Sequence, residues 1–146
     1  MTMGKLMLAL IAAAFLAGCQ TADDALTTGT TQTAVTGPAA RAVAGDMAGR
    51  LAEQIGSAGT TTIKMKNDQS EFATALEAAL KRGGYTVVAD NRGRDMKPLE
   101  LAYAIDSIDD QVLARVTTAS IAISRAYNLT ADGATPVSPL SVMQRN

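Results

Sequence analysis

The sequence has no histidine, no tryptophan and a single cysteine, and its aromatic residues are two phenylalanines and three tyrosines in 146 positions. Without histidine there is no Ser-His-Asp or Cys-His nucleophile, no imidazole general base and no ordinary zinc site. One cysteine excludes an intramolecular disulfide, and so few aromatics leave little for stacking bases or sugars. Charge of one sign is also missing: 13 Lys and Arg against 14 Asp and Glu give a net charge of −1, with no built-in attraction to nucleic acid. The length fits one domain of ordinary size. These counts argue against an enzyme, and none of them calls for a cofactor or a small-molecule substrate.

An uninterrupted apolar run is present at one place. Met1–Lys5 carries one positive charge, and Leu6–Leu16 reads LMLALIAAAFL. The run is about half the length a permanent membrane helix needs, so it reads as the hydrophobic region of a signal peptide covering residues 1–18. Leu16, Ala17, Gly18 and Cys19 then follow in order. This tetrad resembles the lipobox of bacterial lipoproteins, in which the cysteine thiol receives diacylglycerol, the chain is cut before the cysteine and the new amine is usually acylated. Cys19 is thus the expected lipidation site. Two or three long acyl chains hold a protein on a membrane effectively permanently, at about 0.8 kcal/mol per buried CH₂. Gln20 stands where an aspartate would favour inner-membrane retention in enteric bacteria, so the resemblance points to the outer membrane, with the protein facing the periplasm.

Residues 19–38 comprise the cysteine and a Thr-rich stretch ending at Pro38, without helical or alternating period. They read as a flexible tether with a typical span of roughly 25 Å.

A folded domain is expected over residues 39–130. Val43, Met47, Leu51 and Ile55, flanked by Ala44, Ala48 and Ala52, form one apolar stripe of a helix from Ala39 to Ile55, opened near Pro38 and stopped at Gly56. Gly45 and Gly49 lie inside it, four residues apart, a spacing that would also suit close approach of another backbone. Thr60–Lys66 alternates as a strand. A second helix is predicted with Asp68 as its cap and Glu71 three residues on, an apolar stripe of Phe72, Ala75, Leu76, Ala79 and Leu80, and a glycine stop at Gly83-Gly84. Tyr85–Asp90 is the next strand. Leu99–Asp106, Gln111–Thr117 and Ser120–Thr130 alternate in turn and predict a meander. The order predicts an α+β fold, two helices packed on a mostly antiparallel sheet of about four to five strands. Residues 131–146 contain two prolines and no period, and read as an extended tail or a segment that docks on a partner.

Few residues suggest chemistry. Asp23-Asp24 and Asp109-Asp110 are adjacent carboxylates without cation-loop spacing, and the second pair suits a hairpin turn. Arg92, Arg94 and Lys97 form a small basic loop, nearly cancelled by Asp90 and Asp95. Gly83-Gly84 follows a helix rather than preceding one, so it is a helix stop and no phosphate cradle. Arg125 shares an alternating face with Ile121, Ile123 and Tyr127. Either that face is partly exposed, or Arg125 pairs with a carboxylate such as Glu100, or it meets a partner.

The segments AGDMAGRLAEQIG (44–56), FATALEAALKRGGYTVV (72–88), ELAYAID (100–106), QVLARV (111–116) and ATPVSPLSVMQ (134–144) together resemble the conjugal transfer protein TrbH family. Members are small lipoproteins encoded with the mating-pair-formation genes of conjugative plasmids. The resemblance implies a place in a type IV secretion apparatus of the cell envelope, contacts with its channel subunits, and no catalytic residues. The alternative is an envelope lipoprotein of another process: a pilotin, a synthase activator or a surface-exclusion protein.

Overall fold

The computed structural model describes residues 35–89 and 97–146. Their elements run α1 (Gly37–Ile55), a single 3-10 turn (Ala58–Thr60), β1 (Thr62–Met65), α2 (Glu71–Arg82), β2 (Thr86–Val88), β3 (Leu99–Ile108), β4 (Gln111–Thr117), β5 (Ile121–Thr130), β6 (Gly133–Pro136) and β7 (Ser141–Gln144). The α+β reading holds, with more strands than expected: seven in one sheet.

α1 begins at Gly37, two residues before the expected start, because Pro38 is tolerated in a first turn where no intrahelical N–H partner exists. The Gly37 N–H is instead accepted by the Glu71 carboxylate at the start of α2. The helix stops as predicted at Gly56, whose φ of +84° costs a glycine little. Val43, Met47 and Leu51 are fully buried, with Ala40, Ala44 and Ala48 completing the stripe. Neither Gly45 nor Gly49 sits at a close approach, since a Cβ at either position would meet nothing within 4 Å.

The cap of α2 differs from the expectation. Ser70, not Asp68, occupies the N-cap, and its Oγ accepts from Ala73 N at 3.1 Å. Asp68 lies two residues further out, where its Oδ1 accepts from Ser70 N at 2.9 Å. Phe72, Leu76 and Leu80 are buried as the stripe predicts. At the other end Gly84, at φ +93°, turns the chain, and Tyr85 N bonds back to the Leu80 carbonyl. The Tyr85 hydroxyl then donates to Gly56 O at 2.7 Å, joining the ends of the two helices.

β1, α2 and β2 form a parallel crossover, and β3 joins the far side of β1, also parallel. The predicted meander follows. β3 and β4 pair antiparallel through a two-residue turn, with Ile108 opposite Gln111 and Asp109 at φ +52°. β4 and β5 pair from Gln111↔Asn128 to Thr117↔Ala122. Their turn is closed by Thr118, fully buried, whose backbone N–H donates to Ile121 O while its hydroxyl accepts from Ile121 N.

Residues 131–146 are no free tail. β6 pairs with the Tyr127–Thr130 half of β5 and β7 with the Ile121–Ser124 half, so the two short strands lie end to end along one sheet edge. Pro136 and Pro139 break the segment into pieces too short to show a period.

The helices cover one sheet face. Between them and the sheet lie Phe72, Ile63, Met65, Tyr103, Ile105, Val116, Ile123 and Tyr127, with Phe72 and Tyr103 tilted at 55° and their ring centroids 5.4 Å apart. Burying a side chain of this size contributes about 1.5–3 kcal/mol, so this layer carries most of the fold's stability.

Candidate interaction surface

Arg125 projects from β5 toward the helix layer, where a lone guanidinium would be costly. It has partners. Nη1 donates to Asp46 Oδ2 at 3.0 Å, and Nε donates to the Ser138 carbonyl at 3.0 Å. The partner acid therefore comes from α1 and not from Glu100, which pairs with Lys64 at 3.1 Å instead. Glu100 cannot serve because β3 turns its side chain to the other face: Leu101, Tyr103 and Ile105 alternate with it into the core.

Asp46 is shared. The hydroxyl of Tyr127, itself 1% exposed, donates to the same Oδ2 at 2.7 Å, and Arg50 Nε lies 3.6 Å from Oδ1. Burial first, and then the Asp46 carboxylate, push the Tyr127 phenol well above its usual pKa. Ser138 closes the cluster: its Oγ accepts from Ala126 N at 2.9 Å, in the gap between β6 and β7. One carboxylate on α1 thus fixes the centre of β5, and through Arg125 the link between the last two strands. Asp46 was hidden in the sequence because it lies 79 positions from Arg125 and falls on the polar side of a helix stripe.

Tyr103, 1% exposed, is a second deeply buried phenol. Burial, reinforced by the nearby Asp68 carboxylate, pushes it up to about 12. Burial also raises Asp68, but hydrogen bonds from the Ser70 hydroxyl and amide outweigh this and hold it below its ordinary value.

Three surfaces remain open among the described residues. One is a groove of about 330 Å³ where the first turn of α1 meets α2, lined by Ala40, Arg41, Glu71, Thr74, Ala78 and Arg82 among others. Another is the β6–β7 edge. Arg145 N bonds inward to Ser120 O, so by antiparallel alternation the backbone groups of Val142 and Gln144 face outward. Val137, Val142 and Met143 are exposed along this edge, Met143 by 63%. The third is the sheet face turned away from the helices.

Leu16, Ala17, Gly18 and Cys19 lie outside the described residues, as do Asp23, Asp24, Asp90, Arg92, Arg94 and Asp95. Asp109 and Asp110 form the β3–β4 turn, and Lys97 is exposed. Among the described residues no three Cys, Asp or Glu side chains gather as a metal site, and no helix is long and apolar enough to cross a membrane.

A family model described as "Conjugal transfer protein TrbH" matches residues 21–146. The chain is also similar to a curated protein of Sinorhizobium fredii (strain NBRC 101917 / NGR234) named "Probable conjugal transfer protein TrbH". The two are 61% identical over 148 aligned positions, which cover 99% of this chain and 100% of that protein. No solved structure matches the chain.

Proposed function

The chain belongs to the conjugal transfer protein TrbH family and has a role in conjugation, and from that premise we propose that it works as a lipid-anchored envelope component of the transfer apparatus. The family match over residues 21–146 carries the reading, and the Leu16-Ala17-Gly18-Cys19 tetrad supplies the anchor. Cys19 bears the lipid, the Thr-rich stretch that follows spaces the domain from the bilayer, and the domain touches channel subunits of a type IV secretion system. Gln20 after the cysteine favours the outer membrane, with the domain on the periplasmic side.

Contact rather than catalysis fits how the charged groups are used. Asp46, Arg50, Glu53 and Arg125 are joined to one another, Lys64 to Glu100 and Lys81 to Glu77. Each pair braces one element against another or one helical turn against the next, so these groups stabilise a surface and do not converge on a substrate.

Palmitate labelling tests the anchor: the wild-type chain incorporates label, and Cys19→Ser does not. Equal incorporation in the two would refute lipidation at Cys19. A crosslinking pull-down from donor envelopes tests the contacts, with channel subunits of the apparatus expected on the domain.

A further inference from the structure

α1 and α2 lie side by side and run in the same direction. The Gly37 N–H on the Glu71 carboxylate sets their starts level, and the Tyr85 hydroxyl on Gly56 O ties their far ends. The groove of about 330 Å³ between them has an apolar floor of Ala40, Ala75 and Ala78, with Arg41 bordering it from α1 and Arg82 from α2. At a rise of 1.5 Å per residue, Arg41 stands about 6 Å beyond the start of α1 and Arg82 about 16 Å beyond the start of α2. The two arginines are thus about 10 Å apart along the helices.

The four basic side chains of the helices divide evenly. Arg50 and Lys81 have acidic partners. Arg41 and Arg82 are exposed, and their guanidinium groups form no ion pair or hydrogen bond among the described residues. Glu71, the carboxylate at the groove, is turned to the Gly37 N–H. Two unpaired positive charges therefore flank one alanine floor.

We infer that this groove binds an acidic amphipathic helix of a partner chain, with carboxylates seven residues apart on Arg41 and Arg82 and apolar side chains between them on the alanines. Seven helical residues span about 10.5 Å and return to nearly the same face, and the third and fourth residues after the first acid lie on that face between the two. An alanine floor lets a third helix approach to the short end of the usual interaxial range, about 8 Å. An extended peptide fits less well, because the backbones of α1 and α2 are bonded internally and offer its amides no partners. A single phosphate does not span two charges about 10 Å apart across an apolar floor. The inference deepens the contact role proposed above and rests on it for the origin of the partner, a subunit of the transfer apparatus.

The test uses the purified full chain in non-ionic micelles and a fluorescent alanine-based helical peptide of about 16 residues. The peptide carries two glutamates seven residues apart, with leucines at the third and fourth places after the first. Anisotropy is expected to rise saturably, and a peptide with glutamines in place of the glutamates binds more weakly. Arg41→Gln and Arg82→Gln each weaken binding about two- to fivefold, the range of a partly exposed ion pair. Ala78→Glu abolishes it, since the new carboxylate fills the floor and pairs with Arg82 one turn on. The double variant Arg41→Glu/Arg82→Glu binds a peptide with lysines in place of the glutamates. Arg115→Gln, which removes an exposed arginine from the sheet, leaves binding unchanged. The inference is overturned if the peptide does not saturate, or if Arg115→Gln weakens binding as much as Arg41→Gln, the behaviour of bulk charge. Displacement of the peptide by inorganic phosphate at equal ionic strength overturns it in favour of a simple anion site. Tighter peptide binding by Asp23→Asn/Asp24→Asn overturns it in favour of the chain's own acidic pair as the occupant. Because the measurement involves neither lipidation nor mating, its failure leaves the anchoring and conjugation tests unaffected.

Discussion

Replacing Asp46 with alanine removes the one carboxylate that serves both Arg125 and Tyr127. The Tyr127 hydroxyl, 2.7 Å from Asp46, is left without an acceptor inside a residue that is 1% exposed. An orphaned buried polar group costs about 1–3 kcal/mol. Arg125 keeps its bond to the Ser138 carbonyl but loses its counter-charge. Breaking a fully buried pair costs about 3–5 kcal/mol; here Arg125 and Asp46 side chains remain 18% and 24% exposed, so water recovers much of that. The sum for Asp46→Ala is about 2–4 kcal/mol. Asp46→Asn keeps an acceptor for Tyr127 and loses only the charge, for about 1–2 kcal/mol. Urea unfolding measures both directly. In thermal melts of a domain this size the alanine variant lowers the Tm by about 10–15 °C. A double-mutant cycle with Arg125→Met isolates the pair, with a coupling of about 1 kcal/mol or more. A Tm drop for Asp46→Ala below about 2 °C, or strict additivity in the cycle, would refute the assignment of Asp46 as the tie between α1 and β5.

Three further outcomes follow from local geometry. Ser70→Ala removes the Oγ that accepts from Ala73 N and costs about 1 kcal/mol in urea unfolding, whereas Asp68→Ala, two residues outside the cap, costs less. Gly49→Ala stabilises the chain by about 0.5–1 kcal/mol, because the position is inside α1 and an added Cβ meets nothing within 4 Å; a destabilised variant contradicts this. Tyr103 is held neutral by burial, so its contribution to stability is complete below its ordinary pKa of 10.0 and is lost as pH rises through about 12. Tyrosinate absorbance followed during alkaline titration checks this, and ionisation of all three tyrosines near pH 10 would contradict it.

How far the sequence revealed this architecture depends on whether the signal was local. The stripe of Phe72, Leu76 and Leu80 and the alternations of β3, β4 and β5 each lie within about a dozen residues, and each element forms where its period places it. β6 and β7 have four residues each, β6 ending at Pro136 and β7 starting after Pro139, so no period could announce them; the long partner β5 makes them strands. The helix cap was misplaced by two residues because Asp68 and Ser70 are both good capping types, and only the backbone shows which one faces Ala73 N. Arg125 was recognisable as an anomaly on an apolar face, yet its acid was not, since the contact spans 79 positions. The resemblance of Leu16-Ala17-Gly18-Cys19 to a lipobox rests on adjacent residues alone, and those residues lie outside the described ones.

The proposal of a lipid-anchored transfer component joins two claims, attachment through Cys19 and a need for that attachment in conjugation. Transfer frequency tests them together. Donors whose own gene is deleted receive either the wild-type chain or Cys19→Ser at matched protein level, and plasmid transfer to a recipient is counted. The account predicts that the wild-type chain restores transfer and that Cys19→Ser does not. Full restoration of transfer by Cys19→Ser would contradict it.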